Sequence, residues 1–163
     1  MATAPDFVEQ VRKHQKIVHK VCHLYGDTPE DREDLFQEIL LHAWKAWPAF
    51  RQEAKFTTWL YQVSLNTAIS YFRKDKKQPV RQPIDASISL ASPSADDDTE
   101  QQFKAMYLAI GELNRIDKAI VTLYIEQYDY RTIGQMLGLT DNNVAVRMNR
   151  IKAFLKEAVK KHL

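Results

Sequence analysis

The chain has 163 residues, 45% of them hydrophobic, with 23 basic and 21 acidic side chains and a net charge of +2. So much apolar material excludes a globally disordered chain, and so mild a charge does not by itself argue for a nucleic-acid partner. A single cysteine, Cys22, excludes an internal disulfide framework or a Cys-X-X-Cys centre, and no run approaches the roughly 18 apolar residues of a membrane span.

Four glycines and an excess of helix formers point to an all-α protein. The first helix is expected over residues 6–25, where Phe7, Val11, Val18, Val21 and Tyr25 recur at helical spacing and Gly26 ends the run. The opening residues lack the basic start and apolar run of a secretion signal, so a cytoplasmic protein with no stable membrane insertion is expected. Thr28 is a good N-cap for a second helix, with Pro29 in its first turn and Glu30 and Asp31 at its positive end. This helix should run to about Trp47, before Pro48. It carries two apolar rows: Leu35, Ile39 and Ala43, then Phe36, Leu40 and Trp47. One row serves the domain core, and the other calls for a further helix or a partner.

A short polar loop over 50–55 leads to a third helix over 56–74, with Trp59, Leu60, Val63 and Thr67 on one face and Leu65, Ala68, Ile69 and Phe72 on another. Arg73 and Lys74 close it, where cations suit the negative helix end. Composition then shifts. Residues 76–100 hold Pro79, Pro83, Pro93, several serines and the run Asp96-Asp97-Asp98, without a helical period, and read as a flexible linker. The linker separates an N-terminal domain, 1–75, from a C-terminal one, 101–163.

Helical signals return over 103–113 and 117–127. Asp129 can cap a short helix over 130–137, ended by Gly138, and Thr140 or Asp141 can cap a last helix from about 142 to 161. The stretch from Tyr130 to Thr140, followed by Asn142-Asn143-Val144-Ala145-Val146-Arg147, is a helix-turn-helix pattern. Ile133 and Leu137 hold its first helix to the core, Gly134 allows close approach, Gly138 permits the turn and Leu139 plugs it. Val144 and Met148 seat the second helix. Asn142, Asn143, Ala145, Val146, Asn149 and Arg150 are then left near its exposed N-terminal part, where a recognition helix meets base edges. Basic residues cluster at Arg73 to Lys77 and from Arg147 to Lys161, as DNA contact at chosen surfaces would need.

Motifs in both halves of the chain carry a family resemblance. Asp34-Leu35-Phe36-Gln37-Glu38-Ile39-Leu40-Leu41-His42-Ala43-Trp44 is similar to the polymerase-binding helix of extracytoplasmic-function (ECF) RNA polymerase sigma factors. Phe56-Thr57-Thr58-Trp59-Leu60-Tyr61-Gln62-Val63 and Asn66-Thr67-Ala68-Ile69-Ser70-Tyr71-Phe72-Arg73-Lys74 resemble that family's promoter-melting segment. Leu113-Asn114-Arg115 and the helix-turn-helix resemble its C-terminal domain, which is winged-helix-like.

The resemblance implies an alternative sigma factor that binds core RNA polymerase and promoter DNA and promotes strand opening. The chain itself would do no bond-making chemistry and would need no cofactor or metal. Asp34, Gln37, Glu38 and Leu41 would dock on the polymerase. Lys55, Phe56, Thr57, Thr58, Asn66, Arg73 and Lys74 would hold the minus-ten element, with Asn66 on a base flipped from the stack. Arg131, Asn142, Asn143, Val146, Arg147, Asn149 and Arg150 would contact the minus-thirty-five element. Ala145 and Val146 depart from the polar residues common there, which implies apolar contacts such as thymine methyls. Arg131 and Thr132 replace acids common in the helix before the turn, which favours phosphate contact. The linker would thread towards the polymerase active centre, and an anti-sigma factor would hold the protein inactive, with the second apolar row of the second helix as its target.

Three other readings fit parts of the chain. A stand-alone helix-turn-helix regulator explains the second half but not the aromatic segment from Phe56 to Lys74. A metal-dependent helical enzyme would draw on His14, His19, Cys22 and His23, without an acid–base pair to accompany them. An adaptor would bind no DNA in the presence of polymerase.

Overall fold

The computed structural model describes residues 4–50, 54–74 and 97–163. These form seven α-helices and one short 3-10 turn, and among the described residues there is no strand. The C-terminal helix-turn-helix therefore stands without a β-wing among the residues described. The chain divides into two compact units, Met1–Pro79 and Val80–Leu163.

The first unit is a three-helix bundle. Helix α1, Ala4–Tyr25, buries Phe7, Val18, Val21, Cys22 and Tyr25, and it is kinked at His14 (φ −115°, ψ 18°). Gly26 follows, its amide bonded to the Cys22 carbonyl at 2.8 Å. Thr28 then caps α2, Pro29–Ala46, its hydroxyl accepting from the Asp31 amide at 3.1 Å. The helix ends in a 3-10 turn, Trp47–Ala49, tightened around Pro48. Helix α3, Phe56–Lys74, packs against both α1 and α2 and buries Leu60, Tyr61, Leu65 and Ala68.

The two apolar rows of α2 find their neighbours in different places, the second against further helices, one of the two outcomes expected. Leu35, Ile39 and Ala43 are fully buried, as a core row should be. The second row is largely covered within the unit as well. Phe36 stacks on His19 of α1, with ring centroids 4.7 Å apart. Trp47 is buried among Phe7, Phe50, Phe56 and Trp59, at centroid separations of 5.3 to 6.0 Å. For Phe36 and Trp47 these neighbours come from α1, Phe50 and the start of α3.

The second unit is organised on its last helix. Helix α4, Asp97–Gly111, begins well before the position its apolar period suggests. Asp97 and Asp98 therefore belong to a helix and not to a spacer. The rest of the expected linker, 76–96, lies outside the described residues. Helix α5, Arg115–Ile125, is capped by Asn114, whose Oδ1 accepts from the Asp117 amide at 2.8 Å. Helix α6, Tyr130–Leu137, is capped by Asp129 and ends at Gly138, which is left-handed at φ 74°. Thr140 caps α7, Asp141–His162, accepting from the Asn143 amide at 3.0 Å. Helices α4, α5 and α6 all pack on α7, which buries Val144, Met148, Ile151, Leu155 and Ala158. On α6 the buried residues are Ile133, Gly134 and Met136, while Leu137 is only half-buried, so Met136 takes the anchoring place expected of Leu137.

Candidate nucleic-acid interface

In the first unit the expected polymerase-docking residues share one face of α2. Asp34, Gln37 and Leu41 are exposed and Glu38 is half-buried. A residue missed by the sequence reading joins them: Trp44, one turn beyond Leu41, is 47% exposed and Leu41 is 45% exposed. Its ring packs in a T-shaped contact with Phe7, centroids 5.3 Å apart, so the indole is braced while part of it meets solvent. The i, i+3 and i, i+4 steps from 34 through 37 and 41 to 44 were the available signal.

A cleft of about 410 Å3 opens between α2 and α3, lined by His42, Ala46, Trp59, Gln62, Val63, Asn66, Thr67 and Ser70. Asn66 thus stands at a concave site with amide, hydroxyl and aromatic neighbours, the mix that holds a single base by hydrogen bonds and stacking. His42 spans the two helices. One ring nitrogen lies 3.1 Å from Thr67 Oγ1 and the other 3.1 Å from Glu38 Oε1. Of the other expected minus-ten residues, Lys55 is exposed and Thr57 and Thr58 are half-buried near the start of α3. Phe56 is committed to the aromatic cluster, against Trp47, Phe50, Trp59 and His14. The side chains of Arg73 and Lys74 lie outside the described residues. The histidines considered as metal ligands do not converge: among the described residues no group of three His, Cys, Asp or Glu could hold an ion. Burial pushes the Cys22 thiol up to about 12, which suits a core residue and not a ligand.

In the second unit, α6, Gly138 and α7 make the helix-turn-helix. Val144 and Met148 face inward, and Asn142, Asn143, Val146, Asn149 and Arg150 are exposed along the other side of α7. Ala145 is half-buried and Arg131 is exposed on α6. Arg147 is held within the unit. Its Nε donates to Asn143 Oδ1 at 2.9 Å, and its Nη1 to Asp117 Oδ1 at 3.0 Å. Lys152 was noted only as part of a basic run, yet it has a defined setting. Its ammonium sits 5.2 Å from the Tyr124 ring centroid, and a hydrogen bond with Tyr130 pushes its pKa up, aided by the charge interaction with Tyr124. No described helix is long and apolar enough to cross a membrane.

Comparison with known proteins agrees with both units. The Sigma-70 region 2 family matches residues 10–78, and the Sigma-70 region 4 family matches residues 103–155. The chain is 25% identical over 149 residues to the ECF RNA polymerase sigma factor SigM of Mycobacterium tuberculosis, covering 91% of this chain and 74% of that one. It is 26% identical over 144 residues to the RNA polymerase sigma factor SigV of Bacillus subtilis, covering 86% and 82%. Among solved structures it resembles the sigma factor RpoE of Bartonella quintana, in complex with the anti-sigma factor NepR, with TM-score 0.74, 18% identity and coverage of 95% and 97%. It also resembles CnrH in complex with the cytosolic domain of CnrY, with TM-score 0.65, 19% identity and coverage of 98% and 90%. The two structural likenesses speak for the fold, and the two family matches for the lineage. An N-terminal helical bundle and a C-terminal helix-turn-helix, each matching its own region of one family in the right order, make this chain a member of the ECF group of the sigma-70 family, the factors that initiate transcription through RNA polymerase and promoter recognition.

Proposed function

We propose that this chain acts in the cytoplasm as an alternative sigma factor whose contacts divide among three surfaces. The α2 stripe of Asp34, Gln37, Glu38 and Leu41, extended by Trp44, docks on core RNA polymerase. The α2–α3 cleft around Asn66 takes an unstacked base of the minus-ten element. Lys55 just before α3 and Thr57 and Thr58 in its first turn meet the same element, and Arg73 and Lys74 serve its DNA backbone. The exposed side of α7, with Asn142, Asn143, Val146, Asn149 and Arg150, reads the minus-thirty-five element, and Arg131 meets a phosphate. The protein itself makes and breaks no bonds. Its work is to join two weak DNA contacts through one polymerase, which raises the effective concentration of the second contact.

The observation that carries the reading is the polarity of α7: its inner face is apolar and seated, while its N-terminal outer face offers amides, an arginine and one valine methyl pair. An anti-sigma partner is part of the proposal, because the solved relative RpoE is held in a complex with the anti-sigma factor NepR. The exposed pair Leu41 and Trp44, rather than half-buried Phe36 and Leu40 or buried Trp47, is the apolar surface for it to hide.

The test is multi-round transcription with purified core polymerase and genomic fragments. The expected result is a complex on gel filtration and a discrete set of start sites. Absence of both would end the proposal. Within it, Asn66→Ala should weaken open-complex formation more than closed binding, and equal loss of both would count against the flipped-base role.

A further inference from the structure

Four polar side chains form one chain of hydrogen bonds between the start of α5 and the outer face of α7. Asn114 Nδ2 donates to Asp117 Oδ2 at 2.9 Å. Asp117 Oδ1 accepts from Arg147 Nη1 at 3.0 Å, and Arg147 Nε donates to Asn143 Oδ1 at 2.9 Å. The ion pair is sheltered: the Arg147 and Asp117 side chains are 30% and 17% exposed. Asn143, at its far end, is exposed.

The chemistry of this chain assigns the groups unequally. A guanidinium donates and never accepts, so the Asn143 atom facing Arg147 must be the amide oxygen. The orientation of that amide is therefore fixed by its partner, with the oxygen on the Arg147 side and the NH2 on the other. An asparagine reads adenine bidentately by donating from its amide to N7 and accepting N6–H with its oxygen. A freely rotating amide can present that pair either way round, whereas a clamped one presents a single order of donor and acceptor. A second lone pair on the oxygen stays available for the base. Meanwhile Arg147, bound at Nε and at Nη1, is not free to turn its fork to a guanine, although it stands on the recognition helix.

The geometry points to Asp117 and Arg147 as positioning residues that set promoter specificity through Asn143: they clamp its amide in the order that pairs with an adenine on one strand of the minus-thirty-five element. Asp117 lies on another helix, and both of its carboxylate oxygens are engaged inside the unit. Its influence on base choice must pass through Arg147 and Asn143. This inference rests on the reading of α7 as the helix that faces DNA.

The experiment is promoter selection by the holoenzyme from a library randomised across the minus-thirty-five element, with the full-length chain and with Asn143→Ala, Asp117→Ala, Arg147→Lys and the double variant Asp117→Ala/Asn143→Ala. Thermal melting of each variant checks that the unit stays folded. The unaltered chain should prefer adenine at one position, and Asn143→Ala should erase that preference by about tenfold, the discrimination of one bidentate pair. Asp117→Ala and Arg147→Lys should relax the same position and no other, the lysine keeping the charge but lacking the fork that holds two partners. Adding Asp117→Ala to Asn143→Ala should change nothing further, because a residue acting through Asn143 has nothing left to act on. The inference is overturned if Asp117→Ala leaves the Asn143-dependent position intact. It is equally overturned if Arg147→Lys removes a guanine preference at a position that Asn143→Ala does not touch. A holoenzyme that selects no promoter at all would overturn the DNA-facing reading of α7 together with this inference, which separates the two failures.

Discussion

Gly134 and Leu139 close the helix-turn-helix upon each other. The Leu139 amide donates to the Gly134 carbonyl at 2.8 Å, and a Cβ placed on residue 134 would meet the Leu139 carbonyl oxygen at 2.5 Å. The obstacle is backbone, in the turn itself and not in the following helix, so it cannot rotate away. Gly134→Val should therefore shift the turn and lower the stability of the second unit by about 1–3 kcal/mol, the usual range for overpacking. Chemical denaturation followed by circular dichroism checks the loss, and an unchanged midpoint would refute the close approach.

Leu41 and Trp44 stand exposed on α2, while Phe36 and Leu40 beside them are half-buried and Trp47 is buried. Truncating an exposed side chain leaves the fold nearly untouched, whereas truncating an interface anchor costs about 1–2 kcal/mol of binding or more. Trp44→Ala and Leu41→Ala should each weaken binding to core polymerase by tenfold or more, with melting temperatures close to that of the parent chain. Trp44→Ala will show some loss of stability from its edge contact with Phe7. Competition for core against a labelled sigma factor is the measurement. Unaltered affinity in both variants would remove the stripe from the docking surface.

His23 carries a pH dependence. Burial, then the charges of Arg32 and His19, hold its pKa below the ordinary value of 6.5, and its Nδ1 is buried without a hydrogen-bond partner among the described residues. The folded state thus resists a proton that the unfolded chain accepts. By linkage, stability is fully present above about pH 6.5 and falls as pH drops through that value towards the lowered folded pKa. Denaturation curves between pH 7.5 and 5 should show this decline, and His23→Gln should flatten part of it. A parent chain equally stable across that range would contradict the burial of the charged form.

Cys22 is 2% exposed and its thiol is pushed up to about 12 by burial. At neutral pH almost none of it is thiolate, the reactive form. The native protein should react with an aromatic disulfide reagent only at the rate at which the first unit opens, and quickly in denaturant. Immediate stoichiometric reaction of the native chain would show that the α1 face around Cys22 is open.

Much of this architecture was legible because its signals are local. The boundaries of α3 and α6 follow from a first apolar residue, a cap or a terminating glycine, all within a few residues of each other. The start of α4 was missed because residues 97–102 have no apolar period. The covering of Phe36 by His19 was illegible, since periodicity says which residues share a face and not which neighbour meets it. Asp117 is the sharper case. The Asn143–Arg147 contact is one turn along a helix and could be read from spacing, but no local rule joins either residue to an aspartate some 30 positions away.

The cap on α7 has a consequence for how such proteins diverge. Thr140 fixes where the helix begins with its own hydroxyl, and Val144 and Met148, with the Arg147–Asp117 pair, fix how it sits, so the frame does not draw on the exposed side chains of Asn142, Val146, Asn149 and Arg150. Asn142, Val146, Asn149 and Arg150 can be exchanged over generations without moving the scaffold that presents them. Duplicate genes built on this frame can drift to different sets of target genes by a few surface replacements, while everything beneath those replacements stays as it was.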